Sequence, residues 1–332
     1  MGETMAAPGA PAQTGAAVLN LARTGKLWPN GHRFAFTVFD DPDGQSTKVG
    51  REVYSFLRDC GFRTTRGCWP SATVREPSDT GENCSNPSHV EWLLELRQQG
   101  FELGLHNVTN HTSYRQETID GLNRFRELFA ADPLTMSNHF SNDEGIYFGP
   151  ARLTGFARLL YNVLTRGQQR NRFHGETEGH PLFWGDYCRE RIRYVRNFVY
   201  TNINTLAECP IMPYHDPLRP FVPAWYASTE GADARWFLRT VTDRAIDELE
   251  SQGGCCIIYT HFAKGFYRDG SLNAEFRRRL ERLGRKNGWF APVGTLLDHL
   301  RAKRGGTHIL APWERRKLEY SWLLEKIRVR SN

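Results

Sequence analysis

The chain has 332 residues, 39% of them hydrophobic and 24% charged, a globular composition long enough for one large α/β barrel or two modest domains. No run approaches the ~20 apolar residues that a membrane helix needs, and the small-residue-rich N-terminus lacks a basic segment followed by an apolar one, so no secretory signal is read there. A net charge of +6 suits an anionic partner such as a nucleotide sugar, an acidic glycan or a lipid surface, whereas no groove-reading motif or aromatic platform supports a nucleic-acid partner.

Residues 1–28 are expected to be a mobile or helical extension. RFAFTVF (33–39) then reads as a buried strand running into the acidic turn residues DDPDG. Residues 45–59 carry Val49, Val53, Phe56 and Leu57 on one helical face and stop near Gly61. RTTRGCW (63–69) is the next strand, HVEWLLELRQQ (89–99) a helix closed by Gly100, and FELGLH (101–106) a strand. A helix over 114–131 and a strand LTMSNHF (134–140) follow. Residues 186–200 look helical, PAWYAST (223–229) extended, and 234–251 helical. GCCIIYTHF (254–262) is a buried strand, WFAPV (289–293) another, and GTLLDHLRAKR the helix after it. The tail 312–330 reads as a basic amphipathic helix packed on the body, with peripheral membrane contact as its second reading. The arginine-rich stretch at 277–286 is interleaved with Glu275 and Glu281 and reads as a solvated helix face.

Alternating strands and helices imply a parallel sheet, and seven or eight such units point to a closed barrel over 29–305, elaborated at about 140–225 and followed by the 306–332 tail. No GxGxxG or Walker A loop follows any strand. Seven cysteines without a CxxC pair read as reduced structural thiols of a cytoplasmic protein.

In such folds reactive groups follow the strands at their C-terminal edge. Asp40 and Asp41 follow the first strand, His106 and His111 the third, and His139, Asn142, Asp143 and Glu144 the fourth, while His261 ends the late one. An acidic pair is often only a turn, and Asp43-Gly44 is a turn signal. A lone histidine is more often a satisfied structural residue than a ligand. The coincidence of Asp, His and His at separate strand ends is what suggests a divalent metal, zinc first.

These segments resemble a family. TVFDDPDG looks like the TFDDG motif of the polysaccharide deacetylases, carbohydrate esterase family 4. LGLHNVTNHTS is similar to their histidine motif, and IIYTHF to their late strand ending in Leu-x-His. The resemblance spans roughly residues 30–300. It implies a distorted (β/α) barrel of about seven strands, with Asp40 as general base, Asp41, His106 and His111 as metal ligands, and His261 as general acid. The activity implied is metal-dependent removal of an N-acetyl or O-acetyl group from a sugar or polysaccharide precursor; the basic charge and the lack of a signal separately suggest a cytoplasmic substrate, anionic or lipid-linked at the inner leaflet.

The pattern departs from the family in three places. His106 and His111 are five apart instead of four, an extra residue that a loop can absorb. SNHFSNDEGIYFG holds no arginine where the family's third motif has one, leaving His139 or Asn142 to substitute. The Asp-Trp pair of the fourth motif has only His215, Asp216 and Trp225 in the corresponding stretch, as candidate substrate contacts beside Asp143 and Glu144. The alternatives are a hydrolase of a non-sugar amide or glycosidic bond on the same barrel, and a degenerate barrel that binds glycan without catalysis.

Overall fold

A computed structural model describes residues 14–329. Seven runs, the longer of them rich in β-branched and aromatic residues, pair in parallel and close on themselves. They are β1 (Phe34–Asp40), β2 (Thr65–Cys68), β3 (Glu102–Leu105), β4 (Thr135–Met136), β5 (Tyr194–Tyr200), β6 (Ala224–Thr229) and β7 (Cys255–Thr260). Each pairs with the next, and β7 returns to β1 in register from Ala35↔Cys255 to Asp40↔Thr260. The expected barrel is therefore present, with helices packed around it. They include α1 (Gly15–Arg23), α2 (Thr47–Asp59), α3 (Pro87–Gln98), α4 (Arg115–Phe129) and α5 (Gly155–Leu164). All seven cysteines are free thiols.

Strand parity decides what reaches the barrel axis, because successive side chains point to opposite faces. Phe34 and Phe36 of β1 face outward, meeting Phe290 and Phe62 edge-on at 6.1 Å. Phe39 turns inward, where a Cβ on Gly104 would stand 2.9 Å from its ring, so the interior admits Phe39 only because β3 carries glycine there. The same parity sends Asp40 outward and Asp41 inward.

Four expectations are corrected. The helix predicted over 186–200 ends at Arg191, and Tyr194–Tyr200 is the barrel strand β5. Its Tyr, Val and Phe residues fit a pleated wall, and pairing with β4 and β6 overrides the helical spacing. The strand predicted over 134–140 shrinks to Thr135–Met136, and the one over 289–293 to Gly288–Trp289. The helix over 234–251 breaks in two at Val241 and Thr242, the Thr242 hydroxyl accepting from Ala245 N to cap the second half.

Within the N-terminal extension, residues 1–13 lie outside the described residues, while Val18, Ala22, Leu27 and Trp28 are buried. The tail forms a helix, Pro312–Val329, that buries Leu318, Trp322 and Leu323. A charge cluster anchors it. Arg315 donates to Asp216 at 2.6 and 2.9 Å, Arg219 pairs with Asp216 and lies 3.4 Å from Glu319, and Glu319 accepts from the Thr154 hydroxyl at 2.8 Å. Asp216, read from sequence as a substrate contact, is thus a buried strut under this helix. Truncating it as Asp216→Ala strands two buried guanidiniums and should cost about 3–5 kcal/mol in urea denaturation. A loss below about 1 kcal/mol would show that the cluster does not hold the tail.

Candidate metal centre

The site begins where β1 ends. Asp40 faces the helix layer and accepts from Phe262 N at 2.9 Å, the Tyr54 hydroxyl at 3.0 Å and Arg66 at 3.1 Å. It is 0% exposed, and burial raises its pKa against the pull of Arg66 and those donors. Its side chain therefore does not open onto the barrel mouth, where the expected base would have to act.

Asp41 turns inward and accepts from Arg196 of β5 at 2.7 and 3.3 Å and from the Ser137 hydroxyl at 2.8 Å. Burial opposes its ionisation, but the charges of Arg196, His106 and His261 hold its pKa below the usual carboxylate value. Arg196 lies over Tyr259 at 4.5 Å and fills the interior beneath the mouth. An arginine therefore does reach the site, from β5, the segment whose spacing predicts helix.

The group that converges is Asp43, His106 and His139, whose ligand atoms all lie within 4.8 Å of one another. Asp43 Oδ1 is 3.4 Å from His106 Nε2 and 3.8 Å from His139 Nε2. Neither Asp43 Oδ1 nor His106 Nε2 has a hydrogen-bond partner, although both are buried. Such orphaned atoms are costly unless something between them is to be bound.

The surrounding polar groups fix the ring tautomers. Ser137 spends its hydroxyl proton on Asp41, so its oxygen accepts from His106 Nδ1 at 2.7 Å, and the lone pair of His106 is left on Nε2. Asn142 donates its amide to Glu144 at 2.7 Å and Thr109 O at 3.0 Å, which turns its oxygen to His139 Nδ1 at 2.9 Å. His139 therefore also presents a bare Nε2. Burial, then the neighbouring charge of His106, lowers its pKa and keeps it neutral, as a ligand must be. One carboxylate and two imidazoles with ordered outer partners fit a divalent ion such as zinc.

This set replaces the expected one in two places. Asp41 is taken by Arg196 and stands behind His106, 3.4 Å from its Nδ1. His111 turns away, its Nε2 accepting from Val74 N at 3.2 Å and its Nδ1 lying 2.9 Å from Thr112 O, so it ties two loops together. His261 does reach the centre, with Nε2 3.0 Å from Asp43 Oδ2 and Nδ1 2.5 Å from Ala232 O. Of the remaining candidates, Asp143 pairs with Arg172 at 2.7 Å, and the His215 ring lies 3.1 Å from Val222 O. The Trp225 ring meets Tyr147 edge-on at 6.1 Å. None of these three touches the cluster.

Sequence reading passed over several contributors. The Trp69 ring, just past β2, lies 5.7 Å from that of His139 and 6.2 Å from that of His106. Lys264 stands 3.6 Å from Asp43 Oδ2 and 3.7 Å from Asp79 at the half-exposed mouth. Asn107 accepts from His139 N at 2.7 Å and donates to Glu144 at 2.9 Å. Placement at a strand end was the available signal for Trp69 and Asn107.

The fold is a closed parallel barrel of seven strands, with one carboxylate and two imidazoles facing a common point at its mouth. Among solved structures the chain is similar to Puue allantoinase, with a TM-score of 0.50 and 13% identity over 84% of this chain and 94% of that one. It is also similar to a protein named as a polysaccharide deacetylase from Mycobacterium smegmatis (TM-score 0.47, 12% identity, 92% of this chain and 98% of that one). A mutant of the peptidoglycan deacetylase PdaC from Bacillus subtilis matches with a TM-score of 0.38 and 12% identity over 87% and 97% of the two chains. At these identities the likeness is one of fold. No protein-family model and no curated protein sequence matches the chain.

Glu144 lies beneath the cluster, fully buried, and accepts from Asn107, Asn142 and Ser113 N. Burial pushes its pKa up to about 7 despite these donors. A carboxyl whose folded pKa exceeds its unfolded value lends stability at low pH and loses it as pH rises through the folded pKa. Glu144 should therefore contribute a fall on the order of 3 kcal/mol in unfolding free energy between pH 5 and pH 8, read as the difference between the pH profiles of the parent and of Glu144→Gln. A slope unchanged in the variant would refute this account. Glu144→Ala should also weaken zinc binding about 10- to 100-fold in a chelator competition, because both asparagines that hold His139 lose their support.

Proposed function

We propose that this chain is a metal-dependent hydrolase that removes an N-acetyl or O-acetyl group from a sugar or polysaccharide precursor. The observation that carries the reading is the convergence of Asp43, His106 and His139, with unpartnered ligand atoms, at the mouth of a deacetylase-like barrel. Asp43, His106 and His139 would hold the ion. When bound, a divalent ion such as zinc supplies Lewis acidity toward an acyl carbonyl and a water molecule.

The chain's own residues supply positioning and proton handling. His261 faces the Ala232 carbonyl through Nδ1 and Asp43 through Nε2, and both contacts are best made by N–H groups. Burial disfavours its charge, but Asp43 and then Asp41 outweigh that and raise its pKa. His261 therefore holds a proton at the mouth, ready for the departing amine or alcohol. Asp41 acts through Ser137 and His106, fixing the ring that must keep Nε2 bare. Asp40 is sealed by Arg66, Tyr54 and Phe262, so it serves as a buried anchor and the proton traffic falls to His261. Lys264 gives the mouth a cation, which favours a substrate carrying negative charge near the acyl group.

A non-sugar amide is the second reading, favoured by the fold shared with an enzyme named as an allantoinase. Substrate panels separate the two: metal-replete protein should release acetate from acetylated sugar conjugates and leave non-sugar amides intact. Asp43→Ala and His139→Ala should lose bound metal together with activity. His261→Ala should keep the metal and lose about 10²- to 10⁴-fold in turnover. Absence of acetate release by metal-replete protein, or full metal retention by Asp43→Ala, would defeat the proposal.

A further inference from the structure

α5 is an anomaly on the surface. Phe156, Leu159 and Val163 recur at i, i+3 and i+7 and are 65%, 59% and 67% exposed, with Leu164 beside them at 47%. The opposite side of the helix is anchored through buried Ala157 and through Tyr161, whose ring lies 5.6 Å from that of Trp322 on the C-terminal helix. An ordered helix that turns large apolar side chains to solvent marks an interaction surface.

Charge indicates what it meets. Residues 145–175 contain five arginines, Arg152, Arg158, Arg166, Arg170 and Arg172, and no Asp or Glu. Arg152 is buried and Arg172 is paired with Asp143, but Arg158, Arg166 and Arg170 are exposed and form no ion pair among the described residues. Arg158 acts on half-buried Glu176 only through its field. An apolar helical stripe flanked by unneutralised arginines is the pattern of an element that lies in an anionic membrane interface. The C-terminal helix alongside exposes a second stripe, Tyr320, Leu324 and Ile327, with Arg316, Lys317 and Arg328.

This surface adjoins the metal cluster. Phe140 follows His139 in the chain, is 55% exposed, and lies 6.3 Å from Phe148 and 6.5 Å from Phe173. Arg152 covers Phe148 at 4.2 Å and links that aromatic group to Trp322. We infer that α5 docks the protein on an anionic lipid bilayer, with Phe156, Leu159 and Val163 entering the interface and Arg158, Arg166 and Arg170 facing the headgroups. If the hydrolase reading also holds, its substrate is presented at that surface.

The test is co-sedimentation of the full chain with phosphatidylcholine vesicles, with and without phosphatidylglycerol, and needs no turnover. Binding should require phosphatidylglycerol and weaken with salt. It should fall at least about tenfold in Leu159→Ser/Val163→Ser and in Arg158→Glu/Arg166→Glu, all exposed positions whose loss leaves the core intact. A Phe156→Trp reporter should shift its emission to the blue on anionic vesicles. Equal binding to both vesicle types, no binding, or variants that bind as well as the parent would overturn the inference. So would a dimer, seen by light scattering without vesicles, that the serine variant dissociates: the face would then belong to a second copy of the chain.

Discussion

Two adjacent carboxylates end a strand that is buried along its whole length, and neither could remain charged there alone. Pleat parity separates them, and each meets its own guanidinium. Asp40 pairs with Arg66 in the layer between strands and helices, where Arg66 also lies over Trp92 at 5.9 Å. Asp41 pairs with Arg196 inside the barrel. The second pairing shapes the centre. Because Arg196 takes both oxygens of Asp41, that carboxylate is left to orient Ser137 and His106, and the ligand role passes to Asp43 beyond Pro42. Removing either arginine would leave an uncompensated charge at the base of the site, so the architecture of the mouth depends on pairs buried below it.

A second constraint comes from the loops. The stretch between β4 and β5 has little regular structure near its start, yet it must hold His139 to within a fraction of an ångström for ligation. Hydrogen bonds replace secondary structure there. Asn107 adopts a left-handed backbone, φ 53°, that costs a non-glycine residue energy. Its side chain is held from both sides by His139 N and Glu144, which maintains that conformation. Glu144 is the shared acceptor of this network, so two loops from different strands move as one.

Much of this was legible in the sequence because strong local signals agreed with the tertiary answer. β1, β3 and β7 are apolar runs bounded by turn residues, and His106 and His261 end strands as the barrel rule requires. The ligand set was legible only in part. Asp43 carries a turn signal and the turn is real, with Gly44 at φ 73°, so its second use was hidden behind its first. His111 satisfied the spacing of a motif, but spacing along a loop does not reveal which way a ring points. His139 was singled out as a stand-in for arginine, and its true partner lies 96 residues earlier in the chain at Asp43, a distance no local pattern spans. β5 escaped because RIRYVRNFVY has apolar residues compatible with either period, and pairing with its neighbours decides between them.

Net charge carries the same lesson at the surface. The stretch at 277–286 is the most arginine-dense part of the chain, yet it is largely neutralised: Arg278 lies 3.0 Å from Asp243, Arg279 2.7 Å from Glu275, Arg282 2.8 Å from Asp247 and Lys286 2.6 Å from Glu250. These are exposed or half-buried surface pairs of small individual worth, but they cancel the field that the sequence suggests. The arginines around α5 are fewer and more scattered along the chain, and those exposed among them form no ion pair among the described residues. A formal charge of +6 is therefore expressed where partners are missing, not where basic residues are most numerous. One such place is a helix whose outer face is apolar, beside the loop that carries His139.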